Sequence, residues 1–260
     1  MLHVWSDIWM ATDQHQVTML ALLNMSAAFD CVDHNLLLQW LHIDLGLINA
    51  PLEWIHLFLS DRTYQLAYRT AVTSQTLYLL QNGVSQRSVL GPLLYVLYTA
   101  EVCRVAERHS IHLHLYADDS QIYTSVAVSN ITSAVHCLAA CIADVTNRVS
   151  ASRLRFNPSK TGIMWLGAGH LLKQVDISDI PVLSSTVKVV QSARDVGVIL
   201  DSLLSLSAHI AALCPSGFYQ LRQIRPAIRS LTPDAARIIV QAFIACRLDW
   251  CNSLLYVVSI

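Results

Sequence analysis

Two apolar segments enclose a pair of adjacent carboxylates in the stretch Leu113-His114-Leu115-Tyr116-Ala117-Asp118-Asp119-Ser120-Gln121-Ile122-Tyr123. Before the carboxylates, leucine and histidine alternate with the period of a half-buried strand, and Ile122 begins a second apolar run. The pattern predicts a β-hairpin with Asp118 and Asp119 at its tip. Two adjacent aspartates repel each other, and a divalent cation held by oxygen ligands would neutralise them. A solvated Asp-Asp turn is the alternative interpretation.

Five further motifs accompany this hairpin in a fixed order. They are residues 22–34, 83–94, 154–161, 195–201 and 242–256. In order and spacing the chain resembles the LINE-type reverse transcriptases of non-LTR retrotransposons, and the resemblance covers essentially its whole length. Each motif alone is weak, but together with the hairpin they are specific.

The periodicity of the chain predicts an α+β fold. Strands are predicted at residues 17–25, 63–70, 76–81, 112–123, 162–166, 187–190 and 196–200. Helices are predicted at residues 6–16, 34–45, 51–60, 86–109 and 131–149, with Asp33 capping the second and Gly46 ending it. The resemblance implies a polymerase palm, an antiparallel sheet backed by helices. Residues 1–204 would form the palm with a remnant of the fingers, and residues 205–260 a mostly helical, thumb-like part.

Composition constrains the cellular setting. The chain has 260 residues, 54% of them hydrophobic, and a mean hydropathy of +0.44. Its longest apolar stretches, near residues 17–23 and 89–100, are shorter than the roughly 20 residues needed to cross a bilayer. The first residues lack a basic region followed by a long apolar core, so no secretory signal is expected. The sequence therefore predicts an intracellular protein, in nucleus or cytoplasm, with reduced cysteines and no membrane segment.

Charge is distributed unevenly along the chain. The net charge of −1 argues against a freestanding, strongly nucleic-acid-binding domain. Arginines nevertheless concentrate in the C-terminal part, where Arg222, Arg225 and Arg229 follow helical spacing. These three side chains could face a phosphate backbone, and an ordinary solvated helix face is the alternative.

The family resemblance implies a two-metal nucleotidyl transfer, in which a primer hydroxyl attacks the α-phosphate of an incoming nucleotide. The cofactor would be Mg²⁺ or Mn²⁺, and the catalytic and metal-binding residues would be Asp118 and Asp119. A third family carboxylate, at the end of the first palm strand, corresponds to Asn24 here. An amide offers a neutral oxygen where Mg²⁺ prefers an anion, so we expect an impaired site.

Three further residues match substrate-binding positions of the family. Phe29 corresponds to a ring beneath the nucleotide sugar, Gln86 to a residue along the nucleotide and template, and Lys160 to a lysine near the triphosphate. A core role for Phe29 and a surface role for Lys160 are the alternatives. Beside Gln86, Arg87 stands where the family has Gly, and Ser85 where it has Pro; both departures are unfavourable.

The resemblance implies an RNA template, a DNA primer and dNTP as partners, and leaves protein partners open. Family members carry fingers strands upstream of the point where this chain starts, so we interpret it as palm and partial thumb of a degraded element. Three hypotheses follow. The chain is a reverse transcriptase domain with weak or no activity, an inactive remnant that still binds nucleic acid, or a poorly folded relic with exposed apolar surface.

Overall fold

The computed structural model describes residues 2–64, 67–68, 71–72, 78–85, 88–157, 160–182, 185–250 and 252–255. Its helices are α1 Leu2–Asp13, α2 His34–Ile43, α3 Ala50–Leu59, α4 Leu90–Arg108, α5 Ile131–Ala151, α6 Gly169–Leu172, α7 Ser207–Ile228, α8 Pro233–Val240, α9 Cys246–Asp249 and α10 Asn252–Leu255. Its strands are β1 Val17–Asn24, β2 Thr63–Tyr64, β3 Ala67–Tyr68, β4 Ala71–Val72, β5 Tyr78–Leu79, β6 His112–Tyr116, β7 Asp119–Val126, β8 Gly162–Leu166, β9 Asp179–Val182, β10 Ser185–Lys188, β11 Ser192–Asp195 and β12 Val198–Asp201. The mixture confirms the predicted α+β class.

A four-stranded sheet in the order β6-β7-β1-β8 forms the centre of the fold. All its pairings are antiparallel. The sheet is covered on both faces, because alternate residues of β1 belong to two different core clusters. Met19 and Ala21 share a cluster with α4 and α5, whereas Leu20 and Leu22 pack with α1 and the β11–β12 hairpin. The continuous apolar run of β1 follows from this two-sided burial.

Local sequence signals explain most element boundaries. The Asp33 side chain accepts a hydrogen bond from the backbone N–H of Leu36 and caps α2, and Gly46 follows the helix with a φ of +64°. The predicted apolar stripe of α5, from Ile131 to Val149, is buried. These predictions are confirmed.

Helix α4 begins at Leu90, four residues later than the predicted residue 86. The Ser88 hydroxyl accepts from the backbone N–H of Gly91 at 2.9 Å and donates to the Ser85 carbonyl at 2.6 Å. A Cβ on Gly91 would lie 2.8 Å from that carbonyl oxygen, so the tight entry requires glycine. The prediction was wrong because the hydrogen bonds of the Ser88 side chain hold a turn just before Leu90, and the helix begins only after that turn.

Strands β9 and β11 were also missed by the sequence analysis. Each is four residues long and pairs with the strand that follows it, β9 with β10 and β11 with β12. Their alternating patterns are too short to stand out from loop sequence. The second of these hairpins matters for the site.

Residues after Leu206 are mostly helical, as predicted, from α7 through α10. Two prolines, Pro215 and Pro226, lie inside α7. The proposed division at residue 204 remains a prediction.

Among the described residues, the segment Val128–Ala151 is long and apolar enough to cross a membrane by length and composition alone. Sequence analysis had overlooked it because polar residues interrupt the apolar run. Its apolar stripe packs into the core of the fold. Helices in the cores of soluble proteins commonly have the same length and apolar composition.

Candidate active site at the tip of the central hairpin

The predicted hairpin forms between β6 and β7, with Tyr116 opposite Asp119. Ala117 and Asp118 make the connection, and Ala117 has a φ of +52°. A left-handed conformation is uncommon for a residue with a Cβ and is found mainly at tight turns. Both aspartates are half-buried at the end of the sheet.

Asn24 meets both carboxylates. It lies opposite Asp119 in the β1–β7 pairing, and its side-chain Nδ2 donates to Asp119 Oδ1 at 2.7 Å and to Asp118 Oδ2 at 3.3 Å. The backbone N–H of Met25 donates to the Asp118 carbonyl at 2.9 Å. The structure therefore brings the three sequence-predicted residues together, with an amide N–H₂ group pointing at the carboxylate oxygens.

The end of β1 is held by the segment that leads to Lys160. The backbone N–H of Asn157 donates to the Asn24 carbonyl at 2.7 Å, and that of Ser26 donates to the Arg155 carbonyl at 2.8 Å. Lys160 is exposed and lines a cleft of about 510 Å³ together with Asn24 and Asp119. Lys160 therefore lies on the same cleft as Asp119.

Phe29 lies next to this site on a short 3₁₀ turn, Ala28–Cys31. Its half-buried ring stacks on Tyr95 with centroids 4.5 Å apart, and the Tyr95 hydroxyl donates to the sulfur of Met25 at 3.0 Å. Burial raises the pKa of Tyr95, and the negative charge of Asp118 raises it further. The ring of Phe29 is thus braced against the core, which is compatible with both roles predicted for it.

The loop before Gln86 approaches the same turn closely. Gly83 has a φ of +90°, and a Cβ there would lie 2.9 Å from the Asp30 carbonyl oxygen. The backbone N–H of Val84 donates to the Phe29 carbonyl at 2.8 Å. Gln86 and Arg87 themselves lie outside the described residues.

A buried carboxylate that the sequence analysis did not single out lies behind the site. Asp195, at the end of β11, is 5% exposed, and both its oxygens accept from Nε2 of Gln121, at 2.8 and 2.7 Å. Burial raises the pKa of Asp195, the charge of Asp119 raises it further, and the Gln121 hydrogen bond opposes both effects. One sequence signal could have indicated this contact: Gln121 is a polar residue within the apolar run of β7.

The three C-terminal arginines are exposed, but on the far side of α7. Helix α7 directs His209, Leu213 and Ser216 to a pocket beside the β11–β12 hairpin. At 3.6 residues per turn, Arg225 lies about half a turn around the helix from Ser216, and Arg222 is also turned away. Arg229 follows directly after the helix. The structure therefore does not bring these arginines to the cleft.

Two other arginines converge near the cleft. Arg194 and Arg247 line the pocket of about 350 Å³ between the β11–β12 hairpin and α7, together with Trp250. Nη1 of Arg247 donates to the Ser216 hydroxyl at 3.0 Å. Within the part of the chain that the structure describes, neither arginine forms an ion pair. Arg194 also lines the cleft of Asn24 and Asp119, so positive charge continues from one cavity to the other.

Three side chains at the tip of the hairpin could supply oxygen ligands to a divalent cation, those of Asn24, Asp118 and Asp119. The described residues contain no group of three His, Cys, Asp or Glu side chains placed to hold a metal. Asp118 and Asp119 supply two carboxylates, and the Asn24 amide would have to rotate to present its oxygen instead of its N–H₂ group. The residues therefore lack the third carboxylate of a two-metal site and leave two carboxylates as candidate ligands.

Comparison with known proteins identifies the family. Residues 4–194 match the family model described as "Reverse transcriptase (RNA-dependent DNA polymerase)". The chain therefore belongs to the reverse transcriptase family. It is 26% identical over 226 residues to a protein of Drosophila melanogaster described as "Probable RNA-directed DNA polymerase from transposon BS". That alignment covers 84% of this chain and 24% of the transposon protein. The predicted resemblance to retrotransposon reverse transcriptases is confirmed.

Two solved telomerase structures are also similar. The apo telomerase of Candida tropicalis, truncated from the C-terminal domain, is 16% identical, with a TM-score of 0.47 over 78% of this chain and 37% of that one. The telomerase of Candida albicans, in complex with a fragment of telomeric RNA, is 14% identical, with a TM-score of 0.48 over 99% of this chain and 43% of that one.

Proposed function

We propose that this chain is a reverse transcriptase domain whose nucleotidyl transfer is weak or absent. The observation that carries the proposal is the Asn24 amide, which donates to both Asp118 and Asp119. Membership of the reverse transcriptase family supports an RNA template, a DNA primer and dNTP as the substrate class.

Asp118 and Asp119 would hold the Mg²⁺ or Mn²⁺ ion. When bound, that ion would stabilise the charge that develops on the attacking and leaving oxygens. Lys160, exposed in the cleft, would neutralise charge on the triphosphate. Phe29, whose ring stacks on Tyr95, would support the nucleotide sugar. Loss of one donor that stabilises a transition state costs about 10²–10³ in rate, and the change of a carboxylate to Asn24 should cost at least that.

Primer extension with the purified chain tests the proposal. An RNA template with a DNA primer, dNTP and Mg²⁺ should give undetectable or very weak extension, and Asp118→Ala should abolish any that remains. Robust extension that Asp118→Ala abolishes would contradict the proposed impairment. Extension that survives Asp118→Ala would contradict the proposed site.

The second candidate function is nucleic-acid binding without catalysis. It is favoured by Arg194 and Arg247, which converge on one pocket without an ion-pair partner in the described residues. Such a site would bind phosphate regardless of base sequence, so affinity should fall steeply with salt. Binding to an RNA–DNA duplex over a range of salt concentrations tests this function independently of extension.

A further inference from the structure

A buried polar contact anchors the β11–β12 hairpin to the central sheet. Asp195 is 5% exposed and Gln121 is 1% exposed, and the two side chains meet through the Gln121 amide N–H₂ group at 2.8 and 2.7 Å. Gln121 follows Asp119 by two residues on β7, so both side chains lie on the same face of the sheet. The contact therefore joins the end of β11 to the strand that carries Asp119.

The turn that follows Asp195 has an unusual backbone. Val196 has a φ of +43° and Gly197 a φ of +87°. A left-handed conformation is a clear outlier for a β-branched residue and persists only where the surroundings hold it. On its other side the turn meets Trp250, because a Cβ on Gly197 would lie 3.1 Å from the indole Nε1. The turn therefore lies between the buried contact of Asp195 with Gln121 and the side chain of Trp250.

This turn forms a wall of the cleft. Arg194, Val196 and Gly197 line it together with Asn24 and Asp119. We propose that Asp195 and Gln121 form a latch that positions the turn and the Arg194 cation relative to Asp119, so that the cleft accepts a nucleic-acid strand. Asp195 is a positioning residue in this role, and the role in nucleic-acid binding rests on the function proposed above.

The polar nature of Gln121 and Asp195 indicates that the pair positions the β11–β12 hairpin and does not serve only to stabilise the core. Gln121 Oε1 is buried and has no hydrogen-bond partner among the described residues. An imperfectly satisfied polar pair stabilises a core less than well-packed apolar side chains of similar volume would. A directional hydrogen bond, however, fixes the register between hairpin and sheet, which an apolar contact does not.

The test compares two variants that disrupt the contact between Asp195 and Gln121 with a double variant that restores it. Asp195→Leu leaves the Gln121 amide without an acceptor, and Gln121→Glu replaces the amide donor with a second buried carboxyl group. The double variant Gln121→Glu with Asp195→Asn exchanges donor and acceptor and restores the contact. Ile180→Ala, a fully buried position on β9, serves as a control that lowers stability away from the hairpin. Amide hydrogen exchange in residues 192–201 and affinity for an RNA–DNA duplex are measured for each protein.

Both disrupting variants should speed exchange in residues 192–201 and weaken duplex binding by about tenfold, the lower end of the loss seen when a residue that supports a metal ligand is removed. The double variant should recover both properties, and the control should change neither at an equal loss of melting temperature. Exchange no faster than in the control, or a double variant that fails to recover, would overturn the proposal. If Asp195→Leu does not fold, Gln121→Glu alone is compared with the double variant and with the Ile180→Ala control. If the native chain binds no duplex, the proposed function fails while hydrogen exchange still decides the latch.

Discussion

Nδ2 of Asn24 lies 2.7 Å from Oδ1 of Asp119, and the two residues are register partners on adjacent central strands. The amide hydrogens point at oxygens of both carboxylates, Asp118 and Asp119. An N–H₂ group neutralises part of the repulsion between Asp118 and Asp119 without any metal. We therefore expect the tip of the hairpin to be stable without a bound cation.

The arginine stripe, formed by Arg222 and Arg225 on α7 and by Arg229 just after it, lies away from the cleft, and we predict that it contributes to duplex binding as a separate exposed surface. Each neutralised phosphate contributes about −0.9 to the slope of log K against log salt for duplex DNA, so changing all three to alanine should make the slope shallower by roughly 2–3. Salt titrations of native and variant chains measure this difference.

A matched control removes three exposed cations elsewhere, at Arg108, Lys173 and Lys188. It changes net charge equally and should leave the slope nearly as steep as in the native chain. If the α7 variant instead keeps the native slope, the stripe is a solvated helix face. The pocket of Arg194 and Arg247 would then be the next surface to test.

The capping carboxylate of α2 gives a prediction on stability. Asp33 is almost fully buried, caps the helix through the Leu36 N–H and forms an ion pair with Arg153 at 2.5 Å. Asp33→Ala should lower the free energy of unfolding by about 1–2 kcal/mol, the cost of a lost cap. Asp33→Asn keeps a capping oxygen and should cost less. Urea denaturation measures both, and equal losses would show that the ion pair, not the cap, is what matters.

His114 on β6 predicts a pH dependence. Burial lowers its pKa, with a further contribution from His3, and its Nδ1 is buried without a partner among the described residues. Below about pH 6.5 the unfolded chain therefore binds more protons than the folded one. The stability that neutral His114 provides is fully present above that pH and is lost as pH falls toward the lower folded pKa.

Unfolding free energies at about pH 7.5 and 5.5 test this for the native chain and for His114→Gln. The variant should lose less stability on acidification. Part of the dependence should remain, because burial also lowers the pKa of His209. An identical loss in the two proteins would contradict the assignment to His114.

The sequence predicted that Asn24 lies beside Asp118 and Asp119 because the determinants of this arrangement are local. Alternation around Asp118 fixes a hairpin, and the apolar run ending at Asn24 fixes the neighbouring strand, so family order was enough to place them together. The pairing of Gln121 with Asp195 depends on how a later hairpin docks across 74 positions of chain. No local pattern encodes that docking. The start of α4 was missed for a different reason, since the Ser88 cap competes with helix propensity.

The charge of the site gives the last prediction, at Asn24. In Asn24→Asp, three carboxylates meet with no donor between them, so the melting temperature in chelator should fall below that of the native chain. Millimolar Mg²⁺ or Mn²⁺ should restore it, because a cation that binds the folded state stabilises that state by mass action. The rise in melting temperature caused by metal should be larger in the variant than in the native chain.

Melting curves with and without metal measure this difference for native chain, Asn24→Asp and Asn147→Asp. Asn147 is exposed on α5, so its variant adds the same charge away from the hairpin and should respond to metal as the native chain does. An equal metal response in Asn24→Asp and the native chain would mean that residue 24 does not share a cation site with Asp118 and Asp119. Primer extension should recover only weakly in Asn24→Asp, because Arg87 still stands where the family has glycine. A side chain there would crowd a position at which glycine allows close approach.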